Sequence, residues 1–379
     1  MELKDIREKI DQINSQMTEL FIERMKLSKL VAEEKSKNGL PINNLQRERQ
    51  IVVDETAKMD EEIVSYGKQF YENLFALSKA YQSKNMTASS KMIEEIKAVL
   101  GKNQVFPNRA TVACQGVLGA YSQIAADKMI DVCDILYFKD FDGVFTAVEK
   151  GMCRYGVLPI ENSSVGSVNA VYDAMLKHNF YIVKAFKLMI NHYLLAKPGV
   201  KIEDVKEIYS HEKAISQCSE LLKKLGIKAT VCENTAVAAQ MVASSDRKDI
   251  ACISSIECAE IYNLSILLSN VQNSETNFTR FILISKNLEI YDDASKISVM
   301  VNLKHEAGSL NNVLSRFSAL GLNLTKLESR PIPESAFEFA FYFDFEGSLV
   351  KEHVQNIISE LENSCPRFEF LGSYNERIG

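Results

Sequence analysis

Asn277-Phe278-Thr279-Arg280-Phe281-Ile282-Leu283-Ile284 is the stretch on which the reading of this chain turns. Its second half is a short apolar run that reads as a buried strand. Its first half sets a hydroxyl and a guanidinium at the mouth of that strand. Such groups cost free energy to bury unless something polar meets them. The plainer reading is a strand entry whose Thr279 and Arg280 point to water. The rest of the chain decides between the two.

Working outward, residues 109–285 alternate strand and helix. Strands are expected at Thr111–Cys114, Ile135–Phe138, Gly156–Ile160, Ile208–Tyr209, Thr230–Cys232, Ile250–Ile253 and Phe281–Ile284, with helical patterns between most of them. That is an α/β domain, read as two lobes around a cleft. A linker covers Lys286–Ser295. Beyond it the pattern is strand 297–303, helix 309–320, strand 323–329, strand 337–345, helix 349–361 and strand 368–374. This β-α-β-β-α-β order is the α+β, ferredoxin-like plan.

Residues 1–86 have a different texture, all helical. Leu3, Ile10, Met17 and Val31 share one heptad position, and Ile6, Ile13, Leu20 and Leu27 share the other. The pattern gives one helix to about Lys37, roughly 55 Å long. Asn38-Gly39 is expected to end it, and Pro41 to open the next segment. Further helices are expected from about Gln46 to Lys58 and from Glu61 to Ser83. No second helix of equal length exists in the chain, so a second copy is expected to cover the first.

Composition narrows the field. At 379 residues the chain is long enough for two or three domains. A net charge of −6 gives no reason to expect nucleic acid or an anionic membrane surface as a partner. No apolar run has the length of a membrane span. The first residues are charged and lead straight into the heptad, so no leader is expected. Eight cysteines are scattered singly, without metal-site spacing, and read as reduced thiols of a cytoplasmic protein. Neither GxGxxG nor GxxxxGK[ST] occurs, so no nucleotide cofactor is expected, and no metal.

Within the helical part, Arg24 occupies a seam position that the heptad otherwise gives to apolar residues. A buried guanidinium needs an anion. Arg7 and Lys35 share one position beside the seam, roughly 42 Å apart along the helix. One chain cannot bring both to one small ligand, whereas an antiparallel partner helix can. Ser78 and Gln82 sit four apart on one face of the third helix. Together with Ile6-Arg7-Glu8-Lys9-Ile10-Asp11, Glu23-Arg24 and Arg47-Glu48-Arg49, these residues resemble the all-helical chorismate mutase domain. The resemblance implies two sites per homodimer, each taking Arg7 from the neighbouring chain. It implies Arg7, Arg24 and Arg47 on the carboxylates of chorismate, Lys35 and Gln82 on the ether oxygen, and Glu48 on the hydroxyl. Arg suits a carboxylate because its planar fork binds two-handed. Gln82 stands where other members carry Glu and donates without first being protonated, so little acid dependence is expected from it. Asn44 and Ser78 complete the implied substrate contacts, with Asn44 standing where Asp is expected.

In the α/β part, Gln115–Ser122 and Pro159–Ser167 are turns of small and polar residues, and such turns before helices favour anions. Gly119-Ala120-Tyr121-Ser122, Pro159-Ile160-Glu161-Asn162-Ser163, Asn191-His192, Tyr209-Ser210-His211, Gln217-Cys218, Glu233-Asn234-Thr235 and Asn277-Phe278-Thr279-Arg280-Phe281 resemble, in order, prephenate dehydratase. The resemblance implies a cofactor-free loss of hydroxyl and carbon dioxide from prephenate. It implies Thr279 and Arg280 as catalytic residues, with Tyr121, Ser122, Glu161, Asn162, Ser163, Asn277 and Phe281 binding substrate. Thr279 is a weak acid, better suited to donating a hydrogen bond than a full proton. Adjacent strand residues point to opposite faces, so Thr279 and Arg280 share one pocket only at a strand end or irregular turn. For His192 and His211 a structural role is at least as plausible as a catalytic one.

In the last part, Glu306-Ala307-Gly308-Ser309-Leu310 is a glycine turn that starts a helix, and Glu328-Ser329-Arg330-Pro331 ends a strand. On this frame they resemble the ACT domain of phenylalanine-regulated dehydratases, which implies an L-phenylalanine effector site at a dimer interface. The resemblance as a whole is to the bifunctional chorismate mutase–prephenate dehydratases, with a two-lobed, periplasmic-binding-protein-like dehydratase part. The expected bounds are 1–86, 105–285 and 296–375. Dimer against tetramer is left open. Two rival readings are an amino-acid sensor without catalysis and a mutase fused to prephenate dehydrogenase. The cationic helical site argues against the first, and the missing dinucleotide motif against the second.

Overall fold

The computed structural model describes residues 2–38, 44–85, 90–100, 102, 105–306, 308–332 and 338–379. Gly39 and Pro41, the expected helix breakers, and Ala307 of the glycine turn lie outside them. The chain divides into two compact units. One joins Met1–Ala98 with Val299–Phe370, and the other joins Val99–Ser298 with Leu371–Gly379.

The first unit opens with helices α1 (Leu3–Lys37), α2 (Leu45–Thr56), α3 (Val64–Asn85) and α4 (Lys91–Val99). α1 and α2 both pack on α3. The face that α1 turns inward is not its apolar seam. Ser28 and Ala32 are buried, one helical turn apart, and Arg24 precedes them by another. The seam residues stay exposed: Leu20 is 65% and Leu27 56% accessible. Arg24 keeps its heptad position between Met17 and Val31 and also heads a second stripe, with Ser28 and Ala32, that faces α3. Asn44 caps α2, its Oδ1 accepting from the Arg47 amide at 3.0 Å. Asn and Asp are about equally good in that role, which explains how Asn44 is accommodated.

The second unit runs β1 (Arg109–Gln115), α5 (Tyr121–Met129), β2 (Val132–Phe138), α6 (Phe141–Glu149), β3 (Tyr155–Asn162), β4 (Gly166–Ser167), α7 (Asn169–Met175), β5 (Tyr181–Met189), β6 (Tyr193–Ala196), β7 (Glu207–His211), α8 (Glu212–Gln217), α9 (Ser219–Leu225), β8 (Lys228–Cys232), α10 (Thr235–Ser244), β9 (Ile250–Ser254), α11 (Ile256–Ile261), β10 (Ser265–Leu268) and β11 (Phe278–Ser285). Two sheets result. One is ordered β5–β11–β3–β1–β2, with residues 375–378 added beside β5. The other is ordered β10–β6–β9–β7–β8. The chain passes from the first sheet to the second after β5 and returns before β11, so each sheet anchors one lobe. β5, β6 and β10 are absent from the sequence expectation. β5 is covered on both faces, and its burial lacks the alternation that marks a half-exposed strand.

β11 lies between β5 and β3, and Phe281, Ile282, Leu283 and Ile284 are at most 2% exposed. Its pairing with β3 slips by one residue, Arg280 facing Glu161 and Phe281 facing Pro159. Pro159 has no amide hydrogen for the ladder, and a bulge is where a sheet tolerates that.

The remainder of the first unit comprises β12 (Lys296–Asn302), α12 (Ser309–Ala319), β13 (Leu324–Pro331), β14 (Phe339–Glu346), α13 (Glu352–Ser364) and β15 (Arg367–Ile378). Its strands are ordered β13–β14–β12–β15, and β12 and β15 each contribute residues to both units.

Candidate active sites

Two polar centres stand out. The first is built on α1, α2 and α3. Arg24 Nη1 donates to Ser78 Oγ, and its guanidinium lies 5.7 Å from the centre of the Phe75 ring. Burial lowers the Arg24 pKa, yet a guanidinium stays charged throughout the working range. Ser78 Oγ donates in turn to the Leu74 carbonyl at 2.7 Å, which fixes its rotamer. One turn along α3, Gln82 is 8% exposed and its buried Oε1 has no hydrogen-bond partner among the described residues. Such an atom is costly unless a ligand meets it. Glu48 pairs with Lys79 at 3.1 Å. Lys79 was not anticipated; only its place next to Ser78 on α3 signalled it. Arg7 and Arg47 are exposed and Lys35 is half-buried. The structure thus brings Arg24 to Ser78 and Glu48 to Lys79, while Arg7 lies roughly 26 Å along α1 from Arg24.

The second centre lies at the polar start of β11. Thr279 pairs with Asn162 on β3. Asn162 Oδ1 accepts the amides of Ser164 and Val165, both at 3.0 Å. That orients its amide group, so Nδ2 donates to Thr279 Oγ1 at 3.0 Å and to Asn277 Oδ1 at 2.9 Å. Asn277, 2% exposed, exchanges amide bonds with Gln217 at 3.3 and 3.4 Å. Gln217 Oε1 also accepts from His192 Nε2 at 3.0 Å. The other ring nitrogen then faces the Tyr121 hydroxyl at 3.3 Å. Tyr121 itself donates to the Asn191 carbonyl at 2.8 Å. Burial lowers the His192 pKa, against the bond from Gln217, which raises it. The imidazole is therefore a neutral link in the network. His211 caps α8, its Nδ1 accepting from the Lys213 amide at 3.3 Å. Both histidines have structural partners.

A cavity of about 490 Å³ opens beside this network, lined by Gln217, Asn277, Ser164, Glu212 and Lys213 among others. Ser163 stitches the turn to β11. Its Oγ accepts from the Phe278 amide at 2.9 Å and donates to the Thr276 carbonyl at 2.8 Å. Gly119 has φ +88° and a Cβ there would meet Cys258 Sγ at 2.8 Å, so the turn ahead of Tyr121 requires glycine. Ser122 is buried at the start of α5. Phe281 is buried in the apolar core below Thr279.

The orientation of Arg280, which the sequence leaves open, follows strand alternation. Its side chain is on the opposite face from Thr279, 5% exposed, paired through Nε with Glu376 at 2.5 Å and donating from Nη2 to the Tyr374 hydroxyl at 2.9 Å. Strand alternation continues through Thr279 and Arg280, so the two do not line one pocket. By register Glu161 shares the face of Arg280, away from Asn162 and Thr279.

In the C-terminal elements, Gly308 precedes α12 with φ +85°, a conformation that suits glycine. A cavity of about 300 Å³ there is lined by Ser309, Leu310, Glu306, His305, Phe339 and Phe341, with others. Glu328, Ser329, Arg330 and Pro331 lie on β13, paired with residues 339–342 of β14. All eight cysteines are unpaired thiols. Among the described residues no group of His, Cys, Asp or Glu has the form of a metal site, and no helix is long and apolar enough to cross a membrane.

A cationic centre on helices and an amide–hydroxyl centre in a two-lobed α/β unit are two separate candidate active sites, the arrangement of a two-domain enzyme. The chain matches the model for chorismate mutase type II over residues 6–83 and that for prephenate dehydratase over residues 112–289. It is 32% identical to the bifunctional chorismate mutase/prephenate dehydratase of Aquifex aeolicus (strain VF5), covering 100% of this chain and 99% of that protein. Arogenate dehydratase 2 of Petunia hybrida is 38% identical over 72% of this chain and 73% of its own length. Among solved structures, prephenate dehydratase from Arthrobacter aurescens in complex with L-Phe aligns with a TM-score of 0.64 and 27% identity, over 70% of this chain and 90% of that one. The chain belongs to the bifunctional chorismate mutase/prephenate dehydratase family and carries both enzyme domains.

Proposed function

We propose that the helical centre rearranges chorismate to prephenate, and that the β11 centre converts prephenate to phenylpyruvate with loss of carbon dioxide and water. The observation that carries the second step is the Asn162–Thr279 bond. Thr279 Oγ accepts from Asn162 at 3.0 Å, which leaves its own O–H to donate to the departing ring hydroxyl. Aromatisation drives that departure, so a positioned donor suffices and no cofactor is needed. At the helical centre, Arg24 and Arg47 bind carboxylates, Gln82 and Lys35 meet the ether oxygen, and Glu48 takes the hydroxyl. Arg7 comes from a second copy, whose α1 covers the exposed seam as a homodimer. Residues 1–86, 105–285 and 296–375 are the functional parts, and the reduced thiols fit a cytoplasmic enzyme.

The third part is an ACT domain that binds L-phenylalanine and inhibits the dehydratase. Supporting this are the cavity at Ser309 and Leu310, the left-handed Gly308 before α12, and the L-Phe complex of the Arthrobacter relative. Such control works through different affinities for two states.

The deciding experiment follows chorismate with purified protein, without added cofactor or metal, with and without L-phenylalanine. Phenylpyruvate is expected, and less of it with the amino acid. Accumulation of prephenate alone would sink the dehydratase half. The likeness to an arogenate dehydratase favours a second substrate for the same site, so arogenate belongs in the same assay.

A further inference from the structure

Arg280 follows Thr279 directly and faces the other way, into a compact ionic cluster. Glu376 is its centre. The carboxylate takes Arg280 Nε at 2.5 Å, Lys296 Nζ at 2.6 Å and Lys187 Nζ at 3.0 Å. Tyr374 adds its hydroxyl, 2.9 Å from Arg280 Nη2 and 2.6 Å from Ser298 Oγ. Arg280, Lys296 and Glu376 have side chains between 5% and 12% exposed. Three cations thus converge on one carboxylate, Arg280 and Lys296 from a nearly dry side and Lys187, 38% exposed, from the rim. Glu376, Tyr374, Lys296 and Ser298 all lie outside residues 112–289, the stretch that matches the dehydratase model.

We propose that Glu376 is a positioning residue for the dehydratase, holding Arg280 and through it the placement of the neighbouring Thr279 hydroxyl. This rests on the reading of Thr279 given above. The argument is one of charge and lever arm. Removing the carboxylate leaves Arg280 buried beside two lysines, and an uncompensated buried charge is strongly unfavourable. The side chain must swing toward water. β11 is paired along its length by β3 and β5, so the strand survives. What yields is its polar end, beside the register slip at Arg280 and Phe281. Thr279 is one peptide from that point. Displacement by about an ångström costs a reaction of this kind about a hundredfold.

The test uses the full chain with Glu376→Gln, Thr279→Ala, the double variant and Tyr374→Phe. Prephenate turnover is measured, with chorismate mutase activity of the same samples as a control for folding. Glu376→Gln is expected to lower dehydratase kcat by about tenfold to hundredfold, with KM within about twofold and mutase activity intact. In the Thr279→Ala background, measured on the residual turnover, the same substitution is expected to cost much less, because it acts through the hydroxyl that is then gone. Tyr374→Phe is expected to show the same split, more weakly, and decides the matter if Glu376→Gln does not fold. An unchanged kcat, or equal losses in both backgrounds, would overturn the proposal. Full dehydratase activity in Thr279→Ala would instead overturn the reading of Thr279 and this inference with it, independently of how Glu376→Gln behaves.

Discussion

Asn162 holds Thr279 from the neighbouring strand, Nδ2 to Oγ1 at 3.0 Å, while two backbone amides fix which way the Asn162 side chain points. The turn after β3 therefore sets the hydrogen-bonding state of the Thr279 hydroxyl. Asn162→Asp replaces the donor by an acceptor and invites the Thr279 proton toward the carboxylate. Dehydratase kcat is expected to fall about a hundredfold, the usual cost of losing one placed donor. Stopped assays of phenylpyruvate, with mutase activity as the reference, check this.

Thr279→Ala removes the hydroxyl itself. Dehydratase activity should be lost while chorismate still disappears at the normal rate and prephenate accumulates. Parallel loss of both activities would point to misfolding instead.

Arg24 meets Ser78 on α3, and the proposed function makes its fork the anion receptor of the helical centre. Arg24→Lys keeps the charge but loses two-handed binding. Mutase activity is expected to drop by at least about tenfold, mostly in kcat/KM. Turnover of added prephenate should be unchanged, since the second centre is built from other residues.

The exposed α1 seam and the separation of Arg7 from Lys35 predict complementation. Arg7→Ala and Lys35→Ala proteins, each inactive as a mutase, should regain activity when subunits exchange. Absence of rescue despite demonstrated exchange would refute a site shared between copies.

Acid sensitivity has a definite direction. Burial alone would raise the Glu376 pKa, but Arg280, Lys296 and Lys187 outweigh it and hold the carboxyl down to about 2, against 4.5 ordinarily. Below pH 4.5 the unfolded chain takes up this proton first, so the stabilisation is present above that pH and is lost progressively toward pH 2. Chemical denaturation at several pH values should show Glu376→Gln less stable near neutrality, with a shallower decline in acid. His192 is shifted the other way for its type, its pKa lowered by burial. Its contribution weakens as pH falls through about 6.5, where the unfolded imidazole gains its proton and the buried one does not.

Much of the architecture was legible in the residues themselves. Periodicity distinguishes the helical start from the α/β middle because a helix repeats at 3.6 residues and a strand at two. The polar head of β11, Asn277 to Arg280, was legible as a candidate site because an apolar strand with such groups at its mouth needs polar partners for them. β5 escaped notice because a strand covered on both faces has no alternation to read. The heptad places Arg24 on the seam, but its contact with Ser78 depends on how α1 packs on α3 and has no local signal.

The sequence by itself determined the order of the parts, the chemical types at both centres and the absence of nucleotide-binding motifs, since these depend on local spacing and composition. Tertiary structure alone decided which groups meet. Asn162 and Thr279 are far apart in the chain and join only because β3 and β11 pair, with a one-residue slip that sets them opposite each other. The sequence leaves the orientation of Arg280 open, and alternation along β11 sends it to the face opposite Thr279, where Glu376 arrives from the far end of the chain. No local pattern encodes such a partner, because long-range pairing is set by how whole strands pack rather than by their neighbours in sequence.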